Sequence, residues 1–484
     1  MSDFRLLIGD DRVAGANGTY EIVNPATEEV VAEAPDAGAG DAEDAARAAA
    51  EAFPAWSRTP PEERAALLDR TADLLEARSE ELFPLVQAET GATWRVTTTM
   101  QVPQAILRMR RYAKGALEPN QVPLPPGVQE PTPLAPGGVI SAVAVRQPVG
   151  VVVAITSYNF PMTNMAGKIG PALAMGNTVV VKPAPQDPLQ VIRMVEIMRE
   201  AGFPPGVVNV VVGQGSEAAE ALVASDDVDM VSFTGSTGVG RRIGEVAGGR
   251  IKRQLLELGG KGASIIFDDA DIEAAVQGTG STWAFHSGQI CTAPTRVLAQ
   301  RGVHDEVVEG LATFAGYLPV GDPLAEDTVV GPVITEAHRR RVEGYVEAGR
   351  ADGADIVTGG ERPDMDRGWY VPPTLLAGCG AEMSVVREEI FGPVLSVVPF
   401  DDEDEAVELA NATSYGLYDY VWTADGARGM DVARRLRTGN VGLNTLQRNH
   451  EAPFGGFKQS GVGRDGGSFG LHAYSELQSV VWST

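Results

Sequence analysis

Cysteine and lysine are scarce in this sequence, and each scarcity narrows the kind of protein it encodes. There are two cysteines among 484 residues, Cys291 and Cys379. Two thiols cannot form a network of disulfides, so we expect a chain that works in the reducing cytoplasm. Lysine accounts for six of the 39 basic residues. Four of those six lie in the motifs described below: Lys168, Lys182, Lys261 and Lys458.

The chain also has no excess of positive charge and no long apolar run. The net charge is −26, from 65 acidic and 39 basic residues, which argues against nucleic acid or an anionic membrane as a partner. No run of 18 apolar residues is present, so no segment is expected to span a bilayer. The first residues, "MSDFRLLIGDDRVAG", include acids where a signal peptide needs a basic end and a long apolar stretch.

What is present suits an ordinary globular protein. Apolar residues make up 44% of the chain, enough for a core of ordinary size. The length predicts two or three domains, or one large α/β unit with an appended part. Helical periodicity runs from about residue 41 to 89, and prolines and glycines between 118 and 138 indicate an extended connection or a protruding arm.

Strand and helix patterns alternate from residue 149 onwards, which predicts a parallel sheet covered by helices. "VGVVVAIT", "NTVVVKPA", "GVVNVVVG" and "DMVSFTG" are typical of buried strands, and helical segments lie between them. A second series of strands begins near Ala263. We therefore place a change of domain at Gly259 to Lys261.

A glycine turn follows one of these strands, in "FTGSTGVGR". Its spacing of Gly235, Gly238 and Gly240 is not the G-x-G-x-x-G pattern of a standard dinucleotide fold. Taken alone, the turn is either ordinary loop geometry or a phosphate site at a helix N-terminus.

Two polar residues follow predicted strands. Asn159 lies beyond "VGVVVAIT", where its amide either caps a turn or donates to an oxyanion. Glu257 lies in the apolar run "QLLELGG". It has three interpretations: an ion-paired residue at a strand end, a ligand of a ribose hydroxyl, or a base whose pKa is raised by burial.

Cys291 lies in "SGQICTAPT", where a helix passes into a glycine loop. A loop cysteine with polar neighbours is a candidate nucleophile, although a lone cysteine is more often a small buried apolar residue. We assign that structural role to Cys379.

Taken together, these stretches resemble the aldehyde dehydrogenase superfamily over nearly the whole chain. The motifs keep the family order: "TSYNFP", "PALAMGNTVVVKPAP", "FTGSTGVGR", "LELGGK", "SGQICTAPTR", "GDP", "EEIFGPV" and "PFGGFKQSGVGRDGG". The resemblance implies an α/β fold with a modified Rossmann cofactor domain (1–125 and 149–258), a catalytic domain (259–454) and a small β oligomerisation arm (126–148 and 467–484).

The resemblance also implies a catalytic mechanism. Cys291 would attack the aldehyde, and the Asn159 side chain with the Cys291 backbone N–H would bind the oxyanion. After hydride transfer, Glu257 would activate water to hydrolyse the thioester. Lys168 and Asp465 resemble the family's lysine–glutamate pair behind the base, with Asp465 one methylene shorter than the usual glutamate.

For the cofactor, the resemblance implies NAD and leaves NADP open. Gly235 and Ser236 would approach the pyrophosphate and Lys182 the adenosine ribose. Pro185 stands where the family often has a glutamate that repels a 2′-phosphate. The complete set of implied cofactor residues is Ile155, Thr156, Ser157, Tyr158, Lys182, Gly215, Phe233, Gly235, Ser236, Leu258, Glu389 and Phe391. No metal ion is predicted.

Substrate contacts are implied for Phe160, Gly167, Phe285, Ile290, Arg448 and Phe454. Gly167 stands where family members for small aliphatic aldehydes often have a bulky aromatic residue, so we expect a wider tunnel. Arg448 and His450 lie near the expected tunnel mouth. There Arg448 either makes the entrance partly cationic, which would suit a larger or carboxylated aldehyde, or faces solvent or a neighbouring subunit. The arm and the C-terminal "HAYSELQSVVWST" imply a homodimer or homotetramer.

The sequence therefore predicts a cytoplasmic NAD(P)-dependent enzyme that oxidises an aldehyde to a carboxylate. One alternative is a CoA-acylating semialdehyde dehydrogenase, against which Glu257 argues. The other is a catalytically silent member of the family that serves as a binding or structural protein, against which the intact Cys291, Asn159 and Glu257 argue.

Overall fold

The computed structural model describes residues 3–483. The strands are β1 (Leu6–Ile8), β2 (Asp11–Val13), β3 (Thr19–Val23), β4 (Val30–Pro35), β5 (Gln121–Gln129), β6 (Gly138–Pro148), β7 (Val151–Ile155), β8 (Thr178–Lys182), β9 (Val208–Val210), β10 (Met230–Thr234), β11 (Arg253–Glu257), β12 (Ala263–Ile266), β13 (Arg296–Gln300), β14 (Asp355–Thr358), β15 (Thr374–Ala377), β16 (Val394–Phe400), β17 (Tyr418–Trp422), β18 (Asn440–Leu443), β19 (Gly461–Val462) and β20 (Ser475–Ser483).

The helices are α1 (Ala39–Trp56), α2 (Pro61–Ala77), α3 (Ser79–Thr90), α4 (Trp94–Val96), α5 (Val102–Ala116), α6 (Pro161–Ala174), α7 (Leu189–Glu200), α8 (Glu217–Ala224), α9 (Thr237–Gly249), α10 (Ile272–Trp283), α11 (His304–Ala315), α12 (Glu336–Ala351), α13 (Ser384–Arg387), α14 (Glu403–Asn411), α15 (Gly426–Arg435) and α16 (Gly467–Ala473). A π-helical turn joins α4 to α5, and a 3-10 turn at Phe285–Gly288 follows α10. None of the helices in residues 3–483 is long and apolar enough to cross a membrane.

Two sheets form the body of the fold. The first has eight strands in the order β19-β11-β10-β7-β8-β9-β1-β2, and its five central strands from β11 to β9 are parallel. The second has seven strands in the order β14-β15-β16-β13-β12-β17-β18 and is parallel except for β14. The chain leaves the first sheet after Glu257 and enters the second at Ala263.

The strands are apolar on both faces because helices cover both faces of each sheet. Every residue of β7 and β8 is buried. The helix α6, which follows β7, is buried along nearly its whole length, with Pro161 at its first position, where a missing N–H costs nothing. α5 packs against α6 and presents an apolar stripe that includes Ala105, Ile106 and Met109.

The predicted helices and strands are confirmed, with adjusted ends. The helical region predicted from about residue 41 to 89 divides into α1, α2 and α3, with breaks at Pro60 and Arg78. The strand predicted at "GVVNVVVG" is shorter, Val208–Val210, and its outer edge pairs with the antiparallel strand β1.

The proline-rich stretch before residue 138 contains strand β5. This strand pairs with β6, which in turn pairs with β20, so three antiparallel strands form a separate sheet. Prolines are tolerated in β5 because it is an edge strand, where one side of the backbone needs no partner. Every residue of β5 is exposed.

Candidate active site

Four of the predicted residues lie side by side at the carboxyl ends of parallel strands. Lys182 ends β8, Ile155 ends β7 and Glu257 ends β11, while Phe233 is the last residue but one of β10. The register pairs Ile155 with both Lys182 and Phe233, and Thr234 with Glu257. Open α/β sheets bind ligands at this edge. The topology thus brings predicted cofactor and catalytic residues to one place.

A cavity of about 470 Å³ opens beside this edge. Cys291, Glu257, Asn159 and Asp465 all line it. So do all of the predicted substrate residues: Phe160, Gly167, Phe285, Ile290, Arg448 and Phe454. Residues that are more than 300 positions apart in the chain therefore share one enclosed space, which a substrate could enter.

The loop that carries Cys291 is held tightly in place. His286, Ser287 and Gly288 have φ values of 50°, 56° and 71°, a left-handed run that non-glycine residues rarely adopt. The Ser287 hydroxyl donates to the carbonyl of Gly331 at 2.7 Å, and the Ile334 N–H donates to Gln289 Oε1 at 3.0 Å. Strained backbone of this kind is often found at functional sites.

Burial controls the Cys291 thiol. Desolvation, followed by the nearby carboxylate of Glu389, raises its pKa to about 12. The thiol is therefore protonated at neutral pH, and it needs a base before it can act as a nucleophile. Cys379 is buried in the apolar core of the second sheet and lies outside the cavity.

The side chain of Asn159 is fixed by two hydrogen bonds. Its Oδ1 accepts from the Ser157 hydroxyl at 2.8 Å, and its Nδ2 donates to the carbonyl of Gln289 at 2.9 Å. These contacts set the orientation of the amide beside the cysteine loop. Because an amide nitrogen carries two N–H groups, one donor remains for a group in the cavity.

Glu257 is buried without a hydrogen-bond partner for either carboxylate oxygen among residues 3–483. Desolvation, together with the negative charge of Asp465, raises its pKa well above the ordinary 4.5, while Lys168 and Arg464 oppose the shift. A carboxylate with a raised pKa and free oxygens is suited to act as a general base. The ion pair at a strand end that the sequence left open is absent from the described residues.

Lys168 and Asp465 lie behind this base. Lys168 Nζ is 3.9 Å from Asp465 Oδ2 and donates a hydrogen bond to the Ser232 hydroxyl at 3.1 Å. The Ser232 hydroxyl is also hydrogen-bonded to the Tyr474 hydroxyl at 2.8 Å. Burial lowers the pKa of Lys168, and Asp465 opposes that effect. At 3.9 Å, the lysine and the shorter aspartate form a loose ion pair without a direct hydrogen bond.

The glycine turn after β10 exposes a helix N-terminus. Ser236 caps α9 by accepting from the Val239 N–H at 3.4 Å. A Cβ on Gly235 would lie 2.4 Å from the Phe233 ring, and a Cβ on Gly240 would lie 2.4 Å from Leu258. Glycine is needed at both positions for close packing, and it leaves the first N–H groups of α9 open to a phosphate.

The remaining predicted cofactor residues of the first sheet surround this turn. Lys182 is buried and donates to the carbonyls of Pro183 at 3.3 Å and Gly213 at 3.2 Å, and burial lowers its pKa to about 8. The hydroxyl of Thr156 is buried with no partner within residues 3–483. Gly215 has open space where a Cβ would lie, the nearest atom being 4.0 Å away.

Glu389 and Phe391 approach the same region from the second sheet. Glu389 Oε1 accepts from the Gly260 N–H at 2.9 Å, and burial raises the pKa of this carboxyl to about 7. Phe391 has a φ of 61°, and its ring packs edge-on against Tyr158 with centroids 5.9 Å apart. Both residues therefore lie beside the joint between the two sheets.

The expectation that Gly167 widens the tunnel is wrong. A Cβ at Gly167 would lie 2.0 Å from Arg108 Nη1. The guanidinium of Arg108, which comes from α5, already fills the space that a larger side chain would take. Glycine is present because an arginine from another helix packs against it.

Arg108 also lines the cavity, although no motif in the sequence marks it as a site residue. It lies in "ILRMRRYAKG", where three arginines fall within four residues. The helical periodicity marks the apolar face of α5, but it does not show which arginine faces a cavity, because that depends on how α5 packs against α6.

Known proteins resemble this chain over nearly its whole length. The sequence profile described as the aldehyde dehydrogenase family matches residues 13–480. The chain is 38% identical to betaine aldehyde dehydrogenase of Bacillus subtilis, over 100% of this chain and 98% of that one. It is 38% identical to the mitochondrial succinate-semialdehyde dehydrogenase of Arabidopsis thaliana, over 96% and 86% of the two chains.

A solved structure extends the likeness to the fold. The crystal structure of betaine aldehyde dehydrogenase from Staphylococcus aureus in complex with NAD+ is 36% identical and superposes with a TM-score of 0.93, covering 99% of this chain and 94% of that one. The family profile spans nearly all of the sequence, and the fold is shared with this enzyme. The chain therefore belongs to the aldehyde dehydrogenase family.

Proposed function

We propose that the protein oxidises an aldehyde to the carboxylate and uses NAD(P)+ as the hydride acceptor. One observation carries the proposal: a nucleophile, an amide donor and a free buried carboxylate (Cys291, Asn159 and Glu257) line a single cavity. That cavity adjoins the strand ends where the fold can hold a dinucleotide.

The first step makes hydride transfer feasible. Glu257 takes the proton of the Cys291 thiol, and the sulfur adds to the aldehyde carbon to form a thiohemiacetal. The carbonyl oxygen becomes an oxyanion, which the free N–H of Asn159 and the backbone N–H of Cys291 stabilise. An aldehyde carbon releases hydride readily only after a heteroatom has added to it.

Several features fit a dinucleotide. The open N-terminus of α9 suits a pyrophosphate, and the buried Thr156 hydroxyl has no partner among residues 3–483. Glu389 offers carboxylate oxygens beside Gly260. When bound, the nicotinamide accepts the hydride and leaves an acyl thioester on Cys291. Two similar aldehyde dehydrogenases have structures in complex with NAD+, which supports NAD as the cofactor of this protein.

Discrimination between NAD and NADP depends on the residues after β8. Pro185 places no negative charge near the predicted adenosine ribose, and its carbonyl accepts from Tyr20 at 2.9 Å. Lys182, the last residue of β8, carries a positive charge, but its ammonium group already donates to two backbone carbonyls, those of Pro183 and Gly213. We therefore propose that NAD is used and that NADP is tolerated.

The last step regenerates the thiol. Glu257 withdraws a proton from water, and the hydroxide oxygen adds to the thioester carbon. The C–S bond breaks, giving the carboxylic acid and the Cys291 thiolate, which takes up a proton. Lys168 and Asp465 lie behind Glu257 and are placed to pass its proton towards solvent. The free Glu257 oxygens favour water over CoA as the acyl acceptor.

A rate survey tests this function. Short aliphatic, aromatic and carboxylated aldehydes would each be mixed with NAD+ or NADP+, with and without CoA, and reduced cofactor and acid product would be measured. We expect formation of the free acid, faster turnover with NAD+ and no dependence on CoA. An acyl-CoA product would indicate the acylating enzyme, and no reduction with any aldehyde would favour the silent family member.

We also propose that the three-stranded sheet is the oligomerisation arm and that the domains follow the bounds given above. The sheet exposes apolar side chains on both of its faces, among them Val128 at 80%, Val481 at 59% and Trp482 at 47%. Three strands with no covering layer have little stability of their own. A second copy of the chain would bury these residues and cover the free strand edges.

Substitutions in the arm test this assembly. Val481→Asp combined with Trp482→Asp should convert the native dimer or tetramer into smaller species, because two charges would replace apolar contacts. Sedimentation velocity measures the change. Tyr317→Asp is the matched control, since Tyr317 is 73% exposed but lies far from the arm in sequence. A monomeric unsubstituted protein at micromolar concentration would contradict the proposal.

A further inference from the structure

Within the described residues, the side chain of Arg108 lies in the wall of the cavity without a counter-ion. No carboxylate is within ion-pair distance of it and no hydrogen bond holds it among residues 3–483, whereas most other arginines of this acidic protein are paired. On the same helix, Arg110 bonds to Asp73 and Glu76, and Arg111 bonds to Glu118 and Glu451.

The packing of α5 against α6 fixes the position of the Arg108 guanidinium. Arg108 Nη1 would be 2.0 Å, and Cζ 3.1 Å, from a Cβ placed on Gly167. The planar group therefore lies against the bare backbone of α6, eight residues after Asn159 and next to Lys168. Any side chain at position 167 would displace it.

A second unpaired arginine faces the same cavity. Arg448 stacks on the ring of Phe454, with its Cζ 4.0 Å from the ring centroid, and it has no acidic partner within the described part of the chain. This stacking leaves the edge of the guanidinium, which carries the N–H donors, available. Arg448 is close enough to Arg108 to lower the pKa of that group, after the larger effect of burial.

The acids of the cavity do not neutralise this pair. Glu451 is bound to Arg111, and Asp465 is nearest to Lys168. Glu257 has a raised pKa, which limits its negative charge. Asp465 and Tyr112 favour the charged form of Arg108, but neither is bonded to it. The two positive charges of Arg108 and Arg448 share one partly buried cavity, so an anionic ligand that enters the cavity would stabilise both of them.

We propose that Arg108 and Arg448 bind the anionic end of the substrate, so that the preferred substrate is an aldehyde with a carboxylate or phosphate at its far end. This inference rests on the proposed function and names its substrate class. A guanidinium offers two parallel donors that match carboxylate and phosphate oxygens. The same charges repel a trimethylammonium aldehyde, so the protein differs in substrate from the betaine aldehyde dehydrogenases that it resembles.

The test compares acidic and neutral aldehydes of equal length. The ratio of kcat/KM for succinate semialdehyde to that for butanal should exceed about ten in the unsubstituted protein, and Arg108→Gln should lower the ratio about 10-fold to 100-fold. The loss should be mainly in KM. Arg448→Gln should lower the ratio as well. Arg108→Lys should give a ratio between those of the unsubstituted protein and Arg108→Gln, because lysine keeps the positive charge but lacks the two parallel N–H donors of the guanidinium.

Gly167→Ala is a second and independent variant. Its Cβ should displace the guanidinium and lower the same ratio without removing any charge. Arg110→Gln is the matched control on α5, because Arg110 is only half-buried and pairs with Asp73 and Glu76. Glyceraldehyde 3-phosphate, measured beside succinate semialdehyde, identifies which anion is preferred, and betaine aldehyde should be the poorest substrate.

An equal kcat/KM for acidic and neutral aldehydes, or an Arg108→Gln variant that lowers both alike, would overturn the proposal. Titration calorimetry of succinate, with NAD+ present, measures binding to the arginine pair in the absence of any turnover. Succinate should bind the unsubstituted protein and bind Arg108→Gln at least about tenfold more weakly. A protein that binds succinate through Arg108 but oxidises nothing would refute the proposed function, and with it the substrate class, and would leave only the anion-binding role of the arginine pair.

Discussion

Replacing Cys291 by alanine should abolish aldehyde oxidation while leaving the fold intact. Without the sulfur, no thiohemiacetal forms, and the aldehyde carbon keeps its hydride. We expect kcat to fall by about 10⁴-fold or more, as for loss of the nucleophile in other covalent enzymes. Reduced nicotinamide is followed by its absorbance, and circular dichroism checks the fold.

Cys379→Ala provides the matched control because the chain has only these two cysteines. Cys379 is 3% exposed, and its Sγ is 3.6 Å from the carbonyl of Leu376, in the core of the second sheet. Its replacement should cost some stability but leave turnover in place. Turnover that persists in Cys291→Ala and is lost in Cys379→Ala would show that the nucleophile has been assigned to the wrong thiol.

Replacing Glu257 by glutamine should separate the two halves of the reaction. Glutamine keeps the size of the side chain but cannot accept a proton from water, so the acyl thioester should accumulate. We expect a burst of about one NADH per active site, followed by a steady-state rate that is lower by about 10²-fold to 10⁴-fold. Rapid mixing measures both phases.

The burst distinguishes two roles for this carboxylate. If Glu257 acts only on water, the burst keeps its rate in the glutamine variant. If Glu257 also removes the proton of the Cys291 thiol, whose pKa burial raises to about 12, the burst slows as well. An unchanged steady-state rate would contradict any role of Glu257 in hydrolysis. Asp465→Asn, which removes the nearby negative charge without touching the base, is the companion variant.

The pH dependence follows from the same raised pKa. A base works only when ionised, so kcat should rise with pH as Glu257 loses its proton. Because burial and Asp465 raise its pKa well above 4.5, this rise should lie at higher pH than for an ordinary glutamate. The rise of kcat with pH should be absent from the Glu257→Gln variant. A wild-type kcat that does not change over this pH range would contradict the assignment of Glu257 as the base.

The sequence was sufficient to predict the main elements of the fold. Apolar runs of strand length alternate with helical periods, and this alternation dictates parallel sheets. The helices from Ala39 to Thr90 and the strands β7, β8 and β10 lie where the patterns place them. The ends of elements were less well predicted, because the end of a strand such as β9 depends on which neighbour completes the sheet.

The candidate site was predicted only through ordered motifs. Taken singly, Asn159, Glu257 and Cys291 each allowed a structural explanation, since a polar residue after a strand or a thiol in a loop is common. Their assembly in one cavity required the register of β7, β10 and β11 and the path of the loop after α10. No local pattern in the sequence encodes those distances.

Residue types and their order along the chain set the fold class, the family and the reacting groups that we propose, because hydrophobic periodicity and short motifs are local properties of a sequence. The tertiary structure decided what fills the space above Gly167. It is occupied by the guanidinium of Arg108, which lies 59 residues earlier in the chain. Packing of α5 against α6 brings the two together, and such a contact between distant segments is fixed only when the whole core is formed.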